Sequence, residues 1–139
     1  MDDQLYLHEQ QCIARVTMLI RRLQDRKSIN ALDNTTIREI LNPKHESQPL
    51  VLNYSLAHAT LKPDEKSLPH KFHEASEVYY ILKGKGLMHI DNDTAEVFLG
   101  DTIYIPPQAI QWIENTGPDN LEFLCIVDPA WQPNAEELL

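Results

Sequence analysis

From residue 50 onward the chain is a succession of short runs rich in Val, Ile, Tyr and Leu, separated at regular intervals by Gly, Pro, Asn and Asp. Such punctuation leaves no room for long helices and is the signature of an all-β domain. The runs predicted as strands are 50–61, 77–83, 86–91, 95–99, 102–105, 111–115 and 121–127. Lys62-Pro63-Asp64-Glu65 and Asp91-Asn92-Asp93 are tight polar turns between them. Pro106-Pro107 lacks two amide donors and marks a corner rather than a central strand. Seven strands suffice to close a barrel, which removes exposed edges and lines an interior with every second side chain.

The flanks are less regular. Residues 1–17 show no sustained period and are expected as a helical or frayed N-terminal extension. For 1–26 two readings stand side by side: an amphipathic helix with Leu19, Ile20 and Leu23 on its apolar side, or a frayed arm followed by a short strand. Residues 18–49, with the apolar piece 35–41 between turn formers, are expected as lead-in strands packing on a barrel that spans 50–128. The tail, 129–139, carries Trp131 between two prolines and would dock on a neighbour or on its own barrel.

At 139 residues there is chain for one hydrophobic core. The net charge of −9 argues against nucleic acid, whose binding needs Lys and Arg to displace counterions. No signal-like start and no apolar run of membrane-spanning length occur, so a cytoplasmic protein without a membrane partner is expected. Cys12 and Cys125 stand far apart with no metal-type spacing, and no disulfide is expected.

Two stretches carry chemistry. In SLPHKFHEASEVYYILKGKG, His70 and His73 precede Glu77, and Gly84 follows Glu77 after six residues. In GDTIYIPPQAIQWIEN, Gly100 is followed after five residues by Pro106, and Asn115 closes the stretch. Together they resemble the two motifs of the cupins, G-x5-H-x-H-x3,4-E-x6-G and G-x5-P-x-G-x2-H-x3-N. The resemblance implies a cupin-type double-stranded β-helix, a jelly-roll barrel with a short N-terminal extension. It also implies a metal site, and here the sequence departs from the pattern. The paired histidines are spaced HxxH, so His70 aligns with Phe72 as its partner, or Lys71 with His73. Gln111 stands where the last histidine belongs and Gln108 where a glycine does.

A bulge between His70 and His73 would bring both rings beside Glu77, giving a site for a divalent transition metal (Zn, Fe, Mn or Ni) completed by Gln111 or water. No organic cofactor is expected. Against that stands the reading of His70 and His73 as solvated loop residues. Glu77 heads a run whose alternate members, Tyr79 and Ile81, face inward, and a buried carboxylate requires a partner. His70, His73, a metal or Lys71 would supply it. Tyr79 and Trp112 are candidates for a ligand-pocket wall, or plain packing. His58 and His89 lie within strands, Cys125 reads as buried filler, and Gly84-Lys85-Gly86 as a hairpin turn.

No nucleophile elbow or Cys-His pair appears, which leaves proton transfer or metal-assisted polarisation as the available chemistry, with Glu77 or His73 as base. Two functions remain open. One is binding of a small polar molecule in the barrel around a divalent metal, for which the resemblance permits isomerase (sugar-phosphate type), dioxygenase or decarboxylase activity. The other is a metal-free ligand sensor or structural dimer. A homodimer is expected in either case.

Overall fold

Alternation along each strand decides what the interior receives. The computed structural model describes residues 18–139. Its strands are β1 (Ser28–Asn30), β2 (Thr36–Leu41), β3 (Ser55–Leu61), β4 (His70–Phe72), β5 (Ser76–Lys83), β6 (Lys85–Ile90), β7 (Asp93–Phe98), β8 (Thr102–Ile105), β9 (Gln111–Asn115), β10 (Leu121–Asp128) and β11 (Glu136–Leu138). They form a six-stranded sheet ordered β1-β2-β3-β10-β5-β8 and a five-stranded sheet ordered β11-β4-β9-β6-β7. Every pairing is antiparallel. This is the expected jelly-roll barrel.

On β10, Leu121, Phe123, Cys125 and Val127 face inward while Glu122, Leu124 and Ile126 face out, the two-residue period of a sheet with one buried face. Leu121, Phe123 and Cys125 meet Tyr79 and Ile81 of β5, Met88 of β6 and Ile113 of β9 in one apolar cluster. Phe72, Ala75 and Val127 form a smaller cluster at one end, covered by Trp131 and Ala135 from the C-terminal tail. The tail therefore lies on its own barrel, with β11 pairing along β4.

Strand bounds follow the sequence closely in the second half of the chain. Three short strands, β1, β4 and β11, fall in segments that carry no run of β-formers. The helical reading of the N-terminal segment is corrected over the described residues, where a single 3-10 turn at Leu23–Asp25 is all that forms. Residues 1–17 lie outside them, as does Cys12. Side-chain bonds across the chain explain the difference. Arg21 Nη1 donates to the Ile40 carbonyl at 3.0 Å, its guanidinium clasps Glu46, and Arg26 Nε donates to the Glu39 carbonyl at 2.8 Å. These tie the segment in extended form to β2, while Met18 and Ile20 remain exposed.

Candidate functional site

His70 reaches the barrel through register: it lies opposite Gln111 of β9 on one side and Leu138 of β11 on the other. Its ring is buried, and Nδ1 donates to the Leu68 carbonyl at 2.7 Å. That bond commits one nitrogen and turns Nε2 toward two carboxylates, 3.6 Å from Asp33 Oδ2 and 3.9 Å from Glu136 Oε1. Asp33 sits in the loop between β1 and β2, and its other oxygen accepts from the Thr35 amide and hydroxyl. Glu136 opens β11, and its other oxygen accepts from Trp131 Nε1 at 2.8 Å. Three groups thus each have one heteroatom pinned and one directed at the same point, within 4.8 Å of one another. Metal ligands are commonly oriented in this way by outer hydrogen bonds.

The three groups line a cavity of about 450 Å³ that also takes in Glu77, Tyr79, Phe72 and Cys125. Glu77 is buried and its Oε1 has no hydrogen-bond partner among the described residues. Burial pushes its carboxyl well above the usual range, the charges of Asp33 and Glu136 push it further, and the polar groups of Gln111 and Tyr79 oppose them. Burial likewise raises Glu136, against the Trp131 hydrogen bond and His70. The Tyr79 hydroxyl and Cys125 thiol are held well above their ordinary values, chiefly by burial and then by Glu77. Both stay neutral at ordinary pH.

The other sequence candidates separate. Gln111 is buried, accepts from the Tyr79 hydroxyl at 3.1 Å through Oε1, and leaves Nε2 without a partner among the described residues. His73 is not brought to the cluster: its half-exposed ring stands 3.2 Å from Glu137. The bulge that would turn it inward is absent, since β4 pairs regularly with β11 through residues 70–72. Residues three apart on a strand point to opposite faces, so His70 faces in and His73 does not. Phe72 takes the second inward place. Trp112 also faces out, its ring stacked on His89 at 3.6 Å with an interplanar angle of 1°. His89 further meets Glu114, and His58 pairs with Glu122 at 3.1 Å.

Asp33 and Glu136 escaped the sequence reading because they sit far from the motifs, in the lead-in and the tail. One local signal was present for Asp33: Asp-x-Thr is the pattern of a side chain capping the amide two residues on.

With Phe72 and Gln111 where the motifs carry histidine, the four motif positions supply one imidazole and one carboxylate, and do not make a three-His, one-Glu site. Asp33, His70 and Glu136 fit a divalent ion better. Ligands about 2.1 Å from a tetrahedral ion stand about 3.4 Å apart, close to the separations from His70.

The profile of the Cupin domain family matches residues 57–127, and the chain belongs to that family. An uncharacterized protein of Methanocaldococcus jannaschii is 42% identical over 107 residues, covering 77% of this chain and 83% of that one. An oxalate-binding protein of Thermotoga maritima is 34% identical over 71 residues, 51% of this chain and 59% of its own length. The crystal structure of a predicted oxalate decarboxylase from the same organism superposes with a TM-score of 0.67 at 24% identity, over 80% of this chain and 99% of that one, and shows the shared fold.

Proposed function

We propose that the barrel binds a small oxygen-bearing molecule beside a divalent cation held by Asp33, His70 and Glu136. The observation that carries this reading is the convergence of two carboxylate oxygens and one imidazole nitrogen on a single point, next to a buried Glu77 with an unpartnered oxygen. Two buried carboxylates need a compensating positive charge. An imidazolium at His70 would be the bland way to supply it, but charge-assisted hydrogen bonds run at about 2.7–2.9 Å. Separations of 3.6 and 3.9 Å fit groups disposed around an ion better than groups bonded to each other.

The cation would supply Lewis-acid polarisation of a bound oxygen. Glu77, reaching the cavity from β5, is the residue placed to hold or accept a proton there, and the raised carboxyl suits that role. The relatives named for oxalate support an oxygen donor as the occupant. The protein is further proposed to pair as a homodimer through the outer face of the six-stranded sheet. Exposed Tyr80, Leu82 and Tyr104 stand there, with Val78 opposite Tyr104 and Leu124 opposite Tyr80.

Elemental analysis of untagged protein, with Mn²⁺ and Zn²⁺ titrations after chelation, tests the cation reading. About one ion per chain is expected, lost in Asp33→Asn combined with Glu136→Gln. Absence of bound ion in wild type, or equal binding in the double variant, refutes it.

A further inference from the structure

Charge narrows what the cation-bearing cavity can take. Its walls hold Asp33, Glu39, Glu77 and Glu136, and among the described residues no lysine or arginine lines it. Of the basic side chains on the neighbouring elements, Arg21 is engaged with Glu46, Arg26 with the Glu39 carbonyl and Arg38 with the Leu23 carbonyl at 3.4 Å, while Arg22 and Lys27 are exposed and outside the lining. Lys71 follows buried His70 on β4 and so points to the opposite face.

A divalent ion between Asp33 and Glu136 balances those two carboxylates, and Glu39 and Glu77 can only leave that balance or make the cavity negative. No positive excess remains for a dianion, and among the described residues no guanidinium or ammonium lines the cavity to replace the water that a carboxylate or phosphate gives up on entry. The walls offer apolar contact instead, from Phe72, Phe123 and Val127 inside and from Ile29 and Leu32 at the rim, 46% and 49% exposed.

We infer that, on the cation reading above, the natural occupant is an uncharged molecule of about one ring's size, with an apolar body and an oxygen donor directed at the ion. Oxalate and phosphorylated sugars are the wrong charge for this cavity. The chain would then differ in ligand class from the relatives named for oxalate.

A matched pair of probes tests this. 2-Hydroxyacetophenone and salicylate share a ring and an ortho hydroxyl and differ in charge. Isothermal titration of each, and of oxalate, is performed on chelated and on Mn²⁺-loaded protein. The uncharged probe is expected to bind at least about tenfold more tightly than either anion. Leu32→Arg, a change at the exposed rim, is expected to narrow the gap by improving salicylate. Salicylate or oxalate binding as well as 2-hydroxyacetophenone to wild type, or no binding of 2-hydroxyacetophenone to either form, overturns the inference. Failure of Mn²⁺ to bind, with the uncharged probe still preferred, removes the cation reading alone.

Discussion

Glu77→Gln separates the cost of burying a charge from the packing of the side chain, because the two residues are nearly the same shape. In chelated protein the native state holds the Glu77 proton more tightly than the unfolded chain does, since burial and the Asp33 and Glu136 charges raise its carboxyl well above 4.5. A raised acid stabilises the fold fully below the unfolded value and loses that contribution as pH climbs toward the folded value. Each pH unit in that window removes at most about 1.4 kcal/mol. For a chain of this size 1 kcal/mol corresponds to about 3–4 °C in Tm. Above pH 4.5 the Tm of Glu77→Gln minus that of wild type is therefore expected to grow with rising pH, by at most about 5 °C per pH unit. Glu136 is raised too, but it is present in both proteins and cancels in the difference. Thermal melts followed by circular dichroism at several pH values provide the measurement. A difference that stays flat or shrinks with rising pH would refute the burial argument.

Four further outcomes are expected. His73→Ala should leave Mn²⁺ affinity unchanged and stability within about 0.5 kcal/mol, since its ring pairs with Glu137 at the surface; titration and denaturant melts check both. Gly86→Ala should cost about 1–3 kcal/mol, because the new Cβ would lie 2.6 Å from the Glu114 carbonyl oxygen and 2.9 Å from Leu121 Cδ2. Asn115→Ala should cost about 3 kcal/mol in urea melts, as its buried amide donates to the Leu61 and Asp119 carbonyls and accepts from the Gly117 amide. Light scattering should give a dimer mass for wild type, and Tyr80→Glu with Tyr104→Glu should reduce it to a monomer; an unchanged mass would exclude that face as the contact.

The barrel was legible because its strands are long enough for alternation to show. β5 and β10 each carry several inward residues in step, and the glycines and prolines of the two motifs place the turns. Strands of three residues carry no period, so the sequence alone marks β4 as loop and β11 as tail; only pairing with each other and, for β4, with β9 makes them strands. The site was half legible for a related reason. His70 and Glu77 belong to motifs whose spacing is local, and the inward turn of Glu77, Tyr79 and Ile81 follows from the period of β5. Asp33 and Glu136 meet His70 only through tertiary contact, which no spacing encodes. Gln108 shows the opposite case. It stands at φ +71° where the motif has glycine, and its side chain donates to the His73 carbonyl at 2.7 Å, offsetting the backbone cost by anchoring the loop.

The family match ends at residue 127, yet two of the three groups facing the proposed ion lie at 33 and 136. On the proposed reading the barrel supplies His70 and Glu77, while the other two ligands come from segments outside the matched stretch. On that reading, loss of residues 136–138 would take away Glu136 while sparing the main apolar cluster, and a different segment laid along β4 would present a different group to His70. In such an arrangement specificity can drift in the segments that flank the barrel while the strands between them stay under constraint from folding.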